Sequence, residues 1–434
     1  MLAPLIVFVI TCVVMIVSVL LFPKLKIGKI EIGVYWIITV IGAVIVFLCS
    51  NTDAEKIGAA LASENEINPL KILALFLSMT LISVFLDELG FFGKLANIAL
   101  KRNKSGQKRL FFSLYALVSV LTVFTSNDVI ILSFTPFICY FAKNAKISPI
   151  PYLASEFVAA NTWSMALIIG NPTNIYLATS AGIGFAEYLK YGILPAVSGG
   201  FAALSVLYLL FRKTLKSPLS CEIEDVRIAD KFLLGIGIAH LIVATALLAI
   251  SSYIGLQMWL AAVCVAGSLC IVTVVYSLFR KKPPKQLGAG FLRMPYEIIQ
   301  FVLSMFVIVI VLDDVNVTDA IAEYLGSDHP ILKYGTLSFL SANLVNNIPM
   351  SVLFSSIIES GAAGLPAIFA TVIGSNIGAF LTPVGALAGI MWSSIVNKHG
   401  VKFGCFDFIK IGAAVSVPTL FASLGGLWLS LSFF

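Results

Sequence analysis

Charge is scarce in this chain: only 12% of its 434 residues are Asp, Glu, Lys or Arg, against 59% hydrophobic. That scarcity excludes an ordinary soluble domain, in which about a quarter of residues are charged. Histidine is rarer still, at three, and the seven cysteines (Cys12, Cys49, Cys139, Cys221, Cys264, Cys270, Cys405) stand singly, with no CxxC and no Cys/His cluster. Neither a zinc site nor a disulfide framework is indicated. The chain also lacks a Gly-rich phosphate loop, so it is not expected to hydrolyse ATP itself. No catalytic constellation and no resident cofactor are expected, and the chain is not read as an enzyme. Any soluble ATPase partner would leave no mark in this sequence.

What the chain has is apolar length. Mean hydropathy is +1.01, and its runs repeatedly reach the ~20 residues that cross a ~30 Å hydrocarbon core. Candidate spans are 2–22, 30–49, 67–86, 152–180, 190–211, 232–251, 255–279, 297–314, 365–395 and 407–432. Two further segments, 110–142 and 331–358, are too long for one crossing and too short for two. Each is read as a re-entrant hairpin. Lys and Arg then fall on the cytoplasmic side as three in 23–30, six in 91–109, two in 143–151, five in 212–231, five in 280–296 and three in 396–410. Only Lys56, Lys71, Lys190 and Lys333 fall outside, a bias that a wrong topology would not produce. The net charge of +6 is therefore a property of loops and implies no nucleic-acid partner. The first apolar run precedes its lysines, which argues for a retained helix with its N-terminus outside rather than a cleaved signal. The C-terminus is likewise placed outside.

The sequence also repeats itself. "LSMTLISVFLDELG" (77–90) aligns with "LSMFVIVIVLDDVN" (303–316), "SNDVII" (126–131) with "VNNIPM" (345–350), and "NPTNIYLA" (171–178) with "TPVGALAG" (382–389). Five crossings and one hairpin per half make an odd number, so the second copy must be inverted in the membrane. The expected architecture is an all-α polytopic membrane protein. A first inverted repeat spans 1–211, a cytoplasmic linker 212–231, and a second repeat 232–434. Inverted repeats with paired broken helices place a substrate site where the copies meet near the midplane.

The polar residues fall where that site would lie. Ser126, Asn127 and Asp128 interrupt the first hairpin and Asn346-Asn347 the second, and at least one residue at each tip should cap the returning helix. Pro349 suits that helix's first turn. Capping does not explain Asp128, because Asn347 does the equivalent job uncharged. A carboxylate near the bilayer centre costs roughly 2.5–3.5 kcal/mol on insertion scales. Asp128 is therefore assigned to coupling, with H+ or Na+ as the coupling ion. In "IIGNPTNIYLA" (168–178), Gly170 and Pro172 break a helix and Asn171, Thr173 and Asn174 present polar groups. In "GSNIGAFLTPVGALAG" (374–389), Thr382-Pro383 and Gly385 do the same, with Ser375 and Asn376 upstream.

These motifs resemble the arsenite/antimonite efflux permeases of the ion transporter superfamily. "LDELGFF" (86–92), "SNDVIILSFTP" (126–136), "VNNIPMSVL" (345–353) and "LTPVGALAGIMW" (381–392) are each similar to segments of that family. The resemblance implies that Asn127, Asp128, Asn346, Asn347, Thr382 and Pro383 line the substrate site. It also implies exchange of a metalloid hydroxide for a proton, homodimers, and a mobile domain that slides like an elevator against a fixed scaffold in a bacterial inner membrane. Two departures point elsewhere. "NIGAFLTP" puts Asn376 and Phe380 where the arsenite permeases carry a charged pair, and "GNPTN" looks closer to carboxylate and other anion permeases. A neutral trihydroxy metalloid suits hydroxyl and amide partners. An anion would need half-helix N-termini or a sodium ion held by Asp128. The expectation is proton-coupled metalloid efflux, with sodium- or proton-coupled transport of a small anion such as a carboxylate as the alternative.

Other residues are given structural roles. His240 is read as bonded to a helix backbone or a neighbouring side chain, and Asp87-Glu88 and Asp313-Asp314 as solvated interface acids. Cys139 is assigned to packing, Glu156 to favourable charge at a helix N-terminus, and Trp163 and Trp392 to packing or the interface.

Overall fold

The computed structural model describes residues 2–21, 24–27, 30–62, 68–102, 106–217, 227–251 and 253–434. Its helices form two matching series. The first comprises α1 (Leu2–Leu21), α2 (Val34–Leu48), α3 (Ala54–Ala62), α4 (Pro69–Glu88), α5 (Phe91–Arg102), α6 (Gln107–Phe124), α7 (Asn127–Asn144), α8 (Ile150–Trp163), α9 (Pro172–Ser180) and α10 (Phe185–Phe211). The second comprises α11 (Lys231–Ser251), α12 (Met258–Phe279), α13 (Lys285–Leu292), α14 (Glu297–Asp314), α15 (Val317–Leu325), α16 (Pro330–Val345), α17 (Asn347–Ser360), α18 (Gly364–Gly378), α19 (Leu387–Lys398) and α20 (Cys405–Phe433). Each helix of the first series has its counterpart ten places later.

Packing follows the same rule. Helix α2 packs on α14 and α12 on α4; α7 packs on α19 and α17 on α9; α6 packs on α8 and α16 on α18. An operation that carries copy one onto copy two and copy two back onto copy one is a two-fold. Helices α10 and α20, the last of each series, lie against one another. Their approach uses small residues: a Cβ added at Gly199 would meet the Ser423 side chain, and one at Gly426 the Ser198 side chain. Close backbone approach of this kind is how helices associate without a hydrophobic driving force.

Among the described residues, seven helical segments are long and apolar enough to cross a membrane, and Leu2–Ser18, Val34–Leu48 and Gly364–Gly378 are shorter apolar helices. Helix α6, expected to be one arm of a hairpin, is itself among the seven. Each segment expected as a hairpin is two helices, separated by Thr125-Ser126 in the first copy and by Asn346 in the second. The span expected at 30–49 begins only at Val34. Ile30–Gly33 instead pairs antiparallel with Lys24–Ile27, in register Leu25 to Ile32. The alternation in KLKI and IEIG has the period of a strand, which a span search based on apolar length does not detect. The expected linker falls partly on 218–226, which together with Cys221 lies outside the described residues.

The acids read as solvated are in fact paired. Arg293 Nη1, just past α13, lies 2.8 Å from Asp87 Oδ2 and 2.6 Å from Glu88 Oε1 at the end of α4. At the counterpart position Lys56 of α3 pairs with Asp314 at the end of α14, and Thr52 Oγ1 donates to the other Asp314 oxygen at 2.7 Å. Asp313 accepts from Thr318 Oγ1 at 2.6 Å. His240 is bonded as expected, with Nδ1 2.8 Å from Ile236 O and Nε2 3.3 Å from Ser268 Oγ.

Candidate substrate site

Both interruptions expected in the long helices are present. The first is wider than expected, running from Ser164 to Asn171 as two 3-10 turns, Ser164–Ala166 and Ile168–Gly170. Asn171 then caps α9, its Oδ1 accepting from Thr173 N at 3.2 Å, with Pro172 in the first turn where a missing N–H costs nothing. The second interruption covers 379–386, between α18 and α19. A Cβ at Gly385 would lie 2.5 Å from Gly378 O and 2.8 Å from Asn343 Oδ1, so only glycine fits there.

Asn376 joins the two copies. Its Nδ2 donates to Asn174 Oδ1 at 2.7 Å and to Val372 O at 2.8 Å. Its Oδ1 accepts from Asn171 Nδ2 at 2.9 Å and sits 2.8 Å from Ser164 Oγ. Ser164 Oγ is also 2.8 Å from Asn161 O, so two acceptors share one hydroxyl proton. Asn174 Nδ2 donates to the freed carbonyls of Ser164 (2.8 Å) and Leu167 (3.2 Å). All of these groups are buried. Asn161 carries the network to the first tip, accepting from Asn127 Nδ2 at 3.1 Å. Asn161 and Asn376 are counterparts: each donates its Nδ2 to the carbonyl four residues back at 2.8 Å.

At the second tip Asn346, with φ 75°, caps α17 through Ile348 N at 3.4 Å and donates to Val384 O at 3.0 Å. Asn347 N donates to Gly385 O at 3.0 Å. Thr382 donates through N (3.1 Å) and Oγ1 (2.7 Å) to Asn343 Oδ1. The expected capping thus occurs at this tip. At the first, Ser126 occupies the cap position without a capping bond, and Asn127 Oδ1 reaches only the next N–H, of Asp128, at 2.9 Å.

Of the sequence-selected residues, Asn171, Asn174 and Asn376 share one network, with Asn127 at its end; Asn346, Asn347, Thr382 and Gly385 form a second. Ser126 Oγ, Thr173 Oγ1, Asn347 Oδ1 and Ser375 Oγ are buried and have no hydrogen-bond partner among the described residues. Sequence reasoning passed over Asn161, Ser164 and Asn343. Asn161 stands in register with Asn376 across the repeats, a signal that was available.

Asp128 is half-buried in the first turn of α7. Leu132, one turn on and on the same face, lines a cleft of about 270 Å³ with Tyr35 of α2, Glu297 and Ile298 of α14, and Leu387 and Ile395 of α19. On the counterpart elements lie two voids of about 20 Å³ each, the first against α4, α9 and α12, the second among α4, α9, α17 and α14. One is lined by Ile72, Thr179 and Trp259, the other by Ile72, Thr173, Tyr176 and Ile348. Each has room for about one water.

The comparisons with known proteins now apply. The family model described as CitMHS, citrate transporter, matches residues 1–374. The chain belongs to the CitMHS family. It is also similar to the arsenical pump membrane protein of Escherichia coli K12, at 27% identity over 386 residues covering 83% of this chain and 86% of the relative. A putative arsenical pump membrane protein of Bacillus subtilis is 24% identical over 429 residues, covering 90% and 93%. The crystal structure of the Alcanivorax borkumensis YdaH transporter, described as having an unusual topology, matches with a TM-score of 0.58 at 14% identity, covering 99% of this chain and 98% of that one. That likeness speaks to the fold. This CitMHS member is a multi-pass secondary membrane transporter of a small solute.

Proposed function

We propose that the chain exports a neutral metalloid hydroxide of the arsenite/antimonite type in exchange for protons, by alternating access between the wide and the narrow cleft. The observation that carries the substrate class is the set of buried, unpartnered neutral groups: Ser126 Oγ, Thr173 Oγ1, Asn347 Oδ1 and Ser375 Oγ. An unmade hydrogen bond at a buried polar atom costs about 1–3 kcal/mol. A trihydroxy solute supplies both donors and acceptors without bringing charge into the membrane interior. Relatives named arsenical pump membrane proteins over more than four-fifths of the chain support the same class. Asp128, beside the wide cleft, serves as the coupling group. The inverted placement of 1–211 and 232–434, re-entry of α6–α7 and α16–α17, an elevator-like movement, a homodimer, and an inner-membrane location with both termini outside belong to this proposal.

The second reading, proton- or sodium-coupled transport of a carboxylate, is favoured by the family's description as citrate transporters. Expression in an efflux-deficient bacterium separates the two. Protection against arsenite is expected, and sensitivity despite intact membrane expression, with carboxylate uptake into vesicles, transfers the assignment to the anion. Asp128→Asn is expected to fold and to lose proton-driven exchange in everted vesicles. Undiminished exchange removes Asp128 from coupling.

A further inference from the structure

Glu156 is not at a helix N-terminus. It is the seventh residue of α8, 1% exposed, with polar neighbours on two other helices. Thr135 Oγ1 of α7 lies 2.9 Å from its Oε1 and 3.2 Å from its Oε2, and Trp392 Nε1 of α19 lies 3.3 Å from Oε2. The carboxyl therefore bridges the first copy's α7 and the second copy's α19, two of the helices that wall the wide cleft. The counterpart half has no such group. Five residues before Asn376 stands Thr371, where Glu156 stands five before Asn161.

We propose that Glu156 is a second proton-binding site, held as the neutral acid in this conformation and exchanging its proton on the wide-cleft side. An ionised carboxylate so buried needs a cation or several charge-assisted bonds. Its polar contacts are one hydroxyl and one indole N–H, both neutral. Titratable groups on the elements packed around it are Asp128 and Cys139 on α7, Tyr152 on α8 itself, Tyr115 on α6, and Tyr188, Tyr191 and Tyr208 on α10, with Tyr140 on α7, Glu187 and Lys190 on α10 and Lys398 on α19 exposed; α18 carries none. Lys108 and Arg109 at the start of α6 and Lys143 at the end of α7 are exposed. As an acid, Glu156 donates from Oε1 to Thr135 Oγ1 and accepts at Oε2 from Trp392. On release the proton passes to water, and the carboxylate left behind accepts from both. A metal cation fits poorly, since hard cations take about six oxygens and the Trp392 N–H is directed at the carboxylate.

The role in coupling rests on the transport proposal; the protonation does not. Infrared spectra of the purified full-length protein in lipid at neutral pH test it. A protonated-carboxyl band is expected in the wild type, lost in Glu156→Gln and kept in Asp128→Asn. Trp392→Phe, which keeps the acid but removes a donor to Oε2, is expected to move that band to higher frequency. Bands unaltered by both Glu156→Gln and Trp392→Phe overturn the proposal, as does a carboxylate band that responds to sodium instead of pH. In vesicles, Glu156→Gln is expected to keep exchange while losing its dependence on pH at the wide-cleft side; an unchanged pH profile overturns proton exchange at this residue. If the wild type transports no solute tested, the spectra still decide the proton.

Discussion

The wide cleft and the narrow voids lie largely on corresponding helices, yet one holds about 270 Å³ and the others about 20 Å³ each. Tyr35 in the wide cleft corresponds to Trp259 beside the narrow voids and Ile298 to Ile72, pairs of similar bulk, whereas Gly33 and Leu387 of the wide cleft correspond to the bulkier Gln257 and Tyr176. On the proposed alternating-access reading, an exchange of conformation between the two copies closes the wide cleft and opens the narrow one, and the solute groups between them change sides.

Cysteine accessibility is the most direct way to break the comparison, and the effect should be large. With exposed Cys49, Cys264 and Cys405 replaced by Ser, Ser394→Cys in the wide cleft should react readily with a water-soluble maleimide. Thr179→Cys, beside the narrow voids, should react slowly. Addition of a transported solute and a proton gradient should narrow the gap. Equal rates under all conditions would mean that the two clefts do not alternate.

Asn376 bonds across the two copies, and Asn376→Asp sharpens its role. Asn376 Nδ2 supplies two donated bonds, to Asn174 Oδ1 and Val372 O, which a carboxylate cannot make. Two acceptors would then face a buried charge. The expected loss is about 3–5 kcal/mol, the range for an uncompensated buried charge, read as a lowered thermal midpoint in detergent. Asn376→Ser, which keeps a donor, should lose less. An unaltered midpoint for Asn376→Asp would mean that the amides of Asn171 and Asn174 rearrange at little cost. The network would then have no rigid pivot.

Much of this was legible in residues. Hydropathy placed the helices to within a few residues, because the membrane makes apolar length nearly equivalent to crossing. Punctuation marked the breaks, because Gly170-Asn171-Pro172 and Thr382-Pro383 cannot continue a helix. The sequence did not show which polar side chains face one another, since that depends on helix rotation and on contacts more than 200 residues apart. Glu156 was misplaced for this reason. The expected span began at 152, which put Glu156 near its start, while its partners Thr135 and Trp392 lie 21 and 236 residues away in the chain. The acids Asp87 and Asp314 were read as solvated because their cations, Arg293 and Lys56, belong to the opposite copy.

Those two ion pairs offer the smallest and most discriminating test of the symmetry. Arg293 serves two carboxylates, and the Asp87 side chain is only 13% exposed. Lys56, with its side chain 55% exposed, serves the 25% exposed Asp314, which already accepts from Thr52. Removing Arg293 strands a largely buried charge, whereas removing Lys56 leaves one that water and Thr52 still solvate. Arg293→Ala should therefore cost about 1–3 kcal/mol, the penalty for an unsatisfied buried group. Lys56→Ala should cost under about 1 kcal/mol, as exposed pairs do. Raising the salt concentration should weaken the Lys56 pair more than the Arg293 pair, because screening acts on exposed charges. Unfolding midpoints of the two variants at low and high salt check both orderings. Equal losses would show that the two ends of the molecule are equivalent in energy as well as in topology. The unequal clefts would then owe nothing to their unequal clamps.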